Sequence, residues 1–205
     1  MDLMDLIQGQ LSDGLLEQLS NKVGSDPQKT AVAASGIMST LMGALAKNAS
    51  TPEGANALVN ALEKDHDGGI LDNLSDIFSG KTEGVNERAL NGDGILNHLL
   101  GQKKSGAIDI ISKMSGLGSD QAGGLMSMLA PVIMGSLGRA KRQHGLDVGG
   151  IASLLTNSVN RQHQSDSNPA MGLISQFLDQ DNDGSIMDDV ANIGMKMLGG
   201  LFGRK

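Results

Sequence analysis

Cysteine is absent from the 205 residues, and so are tryptophan and tyrosine. The first absence removes disulfide frameworks, thiol nucleophiles and cysteine-ligated zinc. The second leaves Phe78, Phe177 and Phe202 as the whole aromatic content, too little to offer nucleic-acid bases a stacking platform. A core must therefore be built from Leu, Ile, Val, Ala and Met, and the twelve Met supply its adaptable share. Long apolar runs are missing too. The longest uncharged stretch, residues 121–138, carries Gln, Ser and Pro131 and is too short and mixed for a membrane span. The opening Met1-Asp2-Leu3-Met4-Asp5-Leu6 is acidic where an export signal is basic, so a cytoplasmic location is expected.

Catalytic signatures are equally scarce. No phosphate-loop or dinucleotide-binding glycine pattern occurs, and no Gly-x-Ser-x-Gly elbow. The four histidines, His66, His98, His144 and His163, share no i, i+4 spacing that would bring two onto one helix face, so they are read as surface residues. The sequence thus predicts a protein that is not an enzyme.

What the chain has is helix punctuation. Asp26-Pro27, Thr51-Pro52 and Asn168-Pro169 each set a capping side chain before a proline at the first helical position. Ser50-Thr51-Pro52-Glu53 fits a capping box. Pro131, inside the apolar run from Leu125 to Leu137, is expected to kink its helix. These marks and the apolar spacing predict helices near 2–9, 12–23, 27–48, 52–63, 70–79, 95–100, 105–115, 120–143, 147–160, 169–178 and 186–201. No segment alternates with period two, so the fold class is all-α.

The halves look related. Val23-Gly24-Ser25-Asp26 resembles Leu117-Gly118-Ser119-Asp120, and Gly54-Ala55-Asn56-Ala57 resembles Gly149-Gly150-Ile151-Ala152. Each copy leads to an Asp/Gly-rich loop, so duplicated helical modules are expected. The divisions are 1–79, an N-terminal module with the first acidic loop; 80–100, a linker with a short helix; 101–165, a second module; and 166–205, a C-terminal acidic loop and helix. The run from Asn91 to Gly101, followed by Leu129-Ala130-Pro131-Val132-Ile133-Met134-Gly135, resembles the bacterial family known as domain of unknown function 937, whose shorter members are the YidB-like proteins. The resemblance covers roughly residues 10–160. It implies an all-α fold with a helix-turn-helix or homeodomain-like arrangement, and it brings no catalytic residues.

The sharpest chemical signal is the C-terminal acidic loop. Asp179, Asp181 and Asp183 take the first, third and fifth positions of a calcium loop, with Gly184 at the sharp turn and the Ser185 carbonyl as the next ligand. Position twelve is Val190 instead of a bidentate Glu, so Asp188 or Asp189 must close the shell. The first acidic loop aligns with it: Glu63, Asp65 and Asp67 take the alternate positions, and Asp72 and Asn73 the closing ones. Asn91, Asp93 and Asn97 form an abbreviated third version, better explained as a helix cap. The expected cofactor is Ca²⁺.

Charge is uneven. Residues 1–100 hold six basic and fourteen acidic groups (−8), residues 101–165 seven and three (+4), and residues 166–205 three and six (−3). That pattern favours self-association or a protein partner. The apolar stretch from Ile193 to Phe202, with its basic end, is expected to dock on the chain's own core. The leading expectation is a non-enzymatic structural or interaction protein that binds calcium. The alternative is a nucleic-acid-binding or regulatory protein using the basic middle module. Nucleic acid is the weaker reading, because Arg139, Lys141 and Arg142 close a long helix whose dipole already favours them there.

Overall fold

A computed structural model describes residues 7, 9 and 13–165, and among them no strand occurs. The helices are α1 (Asp13–Val23), α2 (Pro27–Asn48), α3 (Pro52–Lys64), α4 (Leu74–Phe78), α5 (Glu87–Leu90), α6 (Gly92–Leu100), α7 (Lys104–Ser115), α8 (Ser119–His144) and α9 (Val148–Ser165). A 3-10 turn at Gly69–Asn73 leads into α4, and another at Gly101–Lys103 leads into α7. The helices expected over 169–178 and 186–201 lie outside the described residues.

Capping explains the boundaries. The Asp26 carboxylate accepts from the Gln28 and Lys29 amides at the head of α2, and Thr51 Oγ1 accepts from the Gly54 amide at the head of α3. At α8 the cap is Gly118, which has no side chain to give. Gln121 makes the return bond instead, accepting from the Gly118 amide at 3.0 Å. The same Gln121 amide group donates to the Val23 and Gly24 carbonyls, which ties the start of α8 to the end of α1.

The two long helices are the centre of the molecule. Residues 36–46 of α2 and 129–138 of α8 are buried almost without interruption. Between them they supply Ile37, Leu41, Met42, Leu45, Leu125 and Met126, all fully buried. α2 packs against α1, α7, α8 and α9, while α8 packs against α6, α7 and the 3-10 turn at Gly69. One continuous apolar cluster runs from Ile7 to Val159. Described residues from both 13–79 and 101–165 contribute to this cluster. Two of the buried hydroxyls are satisfied by bonding back one turn: Thr40 donates to the Gly36 carbonyl and Ser136 to the Val132 carbonyl, both at 2.8 Å.

Helix α8 continues through Pro131. A proline cannot donate to the carbonyl four residues back, so the Ser127 carbonyl has no such intrahelical partner. The first residue of α6 exploits that spot. Gly92 sits so close that an added Cβ would overlap the Ser127 carbonyl oxygen. Ser127 Oγ donates to Asp93 Oδ1 at 2.9 Å beside it. The position of Pro131, within an unbroken helix, is also the docking point for α6.

Candidate functional site

The first acidic loop lies against the C-terminal end of α8. Gly138 of α8 is pressed so near the chain at His66 that an added Cβ would overlap the His66 carbonyl oxygen. Gly68, at φ +96°, makes a similarly close approach to the Arg139 backbone. That contact aligns three acids with three cations. Lys141 donates to Glu63 at 2.7 Å and Arg142 to Asp67 at 2.9 Å. Arg139 donates to Asp72 at 2.5 Å and to the Gly68 carbonyl at 2.8 Å. Asp67 also accepts from the Gly69 amide at 2.9 Å, and Asp65 meets Asn86 at 3.5 Å.

Glu63, Asp65, Asp67 and Asp72 therefore fan out toward separate partners. Among the described residues no three acidic or histidine side chains converge as a metal site. The third acidic motif is also served by a cation of the chain itself. The Lys104 ammonium donates to Asp93 at 2.8 Å and to Asn97 at 3.3 Å, while Asn91 caps α6 by accepting from the Gly94 amide. The bonds from Lys104 first, then Ser127, hold the Asp93 carboxyl below its ordinary value. Asp179, Asp181, Asp183, Ser185, Asp188 and Asp189 lie outside the described residues.

The other side of the same region holds a cleft that the sequence reading did not anticipate. It has a volume of about 330 Å³ and opens between α3, α5 and α6, with Asn48 at one end and Met134 of α8 behind. Ala57, Leu58, Ala61, Ile95 and Leu99 give it apolar walls. Asn48 stabilises one end by donating to the Leu99 carbonyl at 3.2 Å, which joins α2 to α6. The charged and titratable groups of the lining are His66, Arg88 and His98, with no carboxylate.

His66 is not the surface histidine that its polar neighbours suggest. It is 6% exposed, and its Nδ1 has no hydrogen-bond partner among the described residues. Burial pushes its pKa below the ordinary 6.5, against a smaller opposite pull from Asp65. The imidazole is therefore neutral at physiological pH. Its backbone amide bonds to the Ala61 carbonyl at 3.1 Å, which turns the chain inward just after α3 ends. Arg88 and His98 are exposed at the rim, and Arg88 forms no ion pair among the described residues. The sequence signal for this cleft was faint, because its groups come from three separate segments. The one local hint is a histidine followed by the close-packed Asp67-Gly68-Gly69 turn.

Among the described residues these features define an all-helical fold around one apolar core, with a small cleft at its surface. The chain matches the model of a family of bacterial proteins of unknown function, DUF937, over residues 5–140, and it belongs to that family. Comparison with curated proteins and with solved structures gave no match. Among the described residues no helix is long and apolar enough to cross a membrane.

Proposed function

We propose that the chain is a non-enzymatic binding module that works through the cleft between α3, α5 and α6. The cleft carries the reading. Its volume falls at the lower end of small-molecule sites, about 300–1,000 Å³, and apolar walls with a few polar groups are the usual make-up of such sites. The lining offers no hydroxyl, amine or carboxylate side chain, which favours binding over covalent or carboxylate-driven chemistry. The test uses N-phenyl-1-naphthylamine, a neutral apolar fluorophore, against a protein without tryptophan or tyrosine background. Saturable one-to-one enhancement is expected with the wild type and not with Ala57→Trp, which fills the mouth from an exposed position of α3. Equal enhancement in both proteins, with unchanged circular dichroism, refutes the reading.

A second element of the proposal is calcium at Asp179, Asp181, Asp183, Ser185, Asp188 and Asp189, supported by the alternate spacing of the carboxylates. The reading of Glu63, Asp65, Asp67 and Asp72 as a second calcium loop has weaker support, because three of them already hold cations of α8. The nucleic-acid alternative loses ground on the same observation. The basic cluster that would meet phosphates is engaged with the chain's own acids, and α2 and α8 are too deeply buried to enter a groove.

Duplication is part of the proposal as well. The order α1–α2–α3 recurs as α7–α8–α9, and a positive-φ glycine, Gly24 at 65° and Gly116 at 72°, stands two residues before the cap of each long helix; in this register Gly24 matches Gly116 and not Gly118, whose φ is −65°. Thr51 and Asp147 cap equivalent helices through the amides of Gly54 and Gly150. α8 has 26 residues against 22 in α2, an insertion of about one turn.

A further inference from the structure

We infer that the cleft takes a small amphiphile with an apolar chain or ring and a single carboxylate head, seated with the head at Arg88. This rests on the reading of the cleft as a binding site and adds the chemistry of its ligand. Three observations carry it.

The first is charge. The protein is acidic overall, at −7, and residues 1–100 alone carry −8. The acidic loop of residues 63–72 runs past the cleft; Glu63, Asp67 and Asp72 are turned toward α8, and Asp65, which meets Asn86, does not line the cleft. What remains in the lining is Arg88, with the imidazoles of His66 and His98, and no negative group. Arg88 is exposed and forms no ion pair among the described residues, whereas Arg139 and Arg142, basic residues of the same region, are both paired. An arginine presents a planar fork that matches a carboxylate through two parallel bonds, so it selects that head group by shape as well as by charge.

The second is the orientation of the helices. The lining includes Asn91 and Gly94 from the N-terminal turn of α6 and Gly54 from that of α3. Helix N-termini carry partial positive charge, and both ends adjoin this cleft. Their first-turn amides at Gly54 and Gly94 are capped by Thr51 and Asn91, so the contribution is a field that favours an anion.

The third is size and wall chemistry. About 330 Å³ admits a chain or ring and excludes a peptide helix. Leu58, Ala61, Ile95, Leu99 and Met134 supply apolar surface, and the buried His66 ring adds a face that carries no charge. A wholly polar anion would leave those walls without a partner. A wholly apolar molecule would leave Arg88 and the two helix ends unused.

The experiment compares decanoate, decanol and decyltrimethylammonium, each below its aggregation threshold, by titration against the full chain. Binding is followed by isothermal calorimetry and by the change in melting temperature. Decanoate is expected to bind at one site at least tenfold more tightly than decanol, and the cationic amphiphile not measurably. Arg88→Gln should bring decanoate down to the affinity of decanol and leave the melting temperature of the unliganded protein unchanged, since Arg88 is exposed. Ala57→Trp should remove binding of both. Equal affinity for decanoate and decanol overturns the carboxylate inference while leaving the cleft as an apolar site. Failure of decanoate to bind overturns it outright, whatever the neutral fluorophore does. Decanoate affinity that is unchanged in Arg88→Gln overturns the assignment of the head to that residue.

Discussion

Replacing Gly138 by alanine should destabilise this protein, although helix propensity argues for the opposite. In an exposed helix interior, alanine is favoured over glycine by about 1 kcal/mol. Gly138 lies inside α8, where a Cβ would overlap the His66 carbonyl oxygen and crowd the backbone at Asp67. The obstacle is backbone held by Arg139 and its neighbours, so it cannot swing aside like a side-chain tip. Overpacking of this kind costs about 1–3 kcal/mol, and against fixed backbone the upper end applies. After subtracting the propensity gain, the net loss is about 2 kcal/mol. Gly124 is the internal control. It lies in the same helix, is exposed, and an added Cβ meets nothing within 4 Å. Gly124→Ala should therefore stabilise by up to about 1 kcal/mol. The two variants should differ by about 3 kcal/mol, or about 6–12 °C in melting temperature for a chain of this size. Thermal melts followed by helical circular dichroism measure both. A Gly138→Ala protein as stable as wild type would refute the claim that this glycine marks a packed crossing.

The remaining predictions concern charge and pH. His66 is neutral and buried, and its folded pKa lies below the unfolded 6.5. The unfolded chain therefore binds more protons as pH falls below about 6.5, and stability should drop from there downward. His66→Gln should flatten the melting temperature between pH 7 and pH 5.5, and an unchanged slope would count against the burial argument. Arg139→Met should cost about 1–2 kcal/mol, because Arg139 bonds both Asp72 and the Gly68 carbonyl, while Arg142→Met, losing an exposed pair, should stay within about 0.5 kcal/mol in a urea titration. At a hundredfold excess over its dissociation constant, Ca²⁺ should stabilise the wild type by about 2.7 kcal/mol, and Asp181→Ala with Asp183→Ala should abolish the increment. Equal calcium-dependent melting shifts in the two proteins would remove the C-terminal site.

Much of the fold was legible because the chain marks its own helix ends. Asp26-Pro27 and Thr51-Pro52 predicted α2 and α3, and both begin at the proline. The capping oxygen and the fixed proline φ act within a few residues, so no tertiary information was needed. α5 escaped notice for the same reason in reverse. It is four residues long, starts from the Asn86 cap, and carries no repeat of apolar spacing. Pro131 read as a kink because a proline leaves a carbonyl unpaired; what the sequence could not show was that Gly92 would pack against that carbonyl. The cleft was hidden more thoroughly. His66, Arg88 and His98 stand on three segments, and only the packing of α3 against the rest of the bundle brings them to one cavity.

The uneven charge of the sequence has a physical resolution in the structure, and it separates three motifs that looked alike. Acidic or amide residues with similar spacing occur at 63–73, 91–97 and 179–189. In the first, Arg139, Lys141 and Arg142 neutralise the acids from about seventy residues away, so the +4 of the middle segment compensates the acidic N-terminal part at this point. In the second, the Lys104 ammonium bonds to Asp93 and Asn97 together. An added cation at either place would have to displace a positive side chain that already sits there, so its binding would carry the cost of breaking those bonds. The third motif is different in sequence. Five aspartates lie between residues 179 and 189, and no Lys or Arg occurs from 162 to 195. The Ca²⁺ proposed for this motif would supply the counter-charge that its own stretch of sequence lacks. Where the fold supplies basic residues, as Arg139, Lys141 and Arg142 do at 63–72, the acidic loop becomes a clasp between helices.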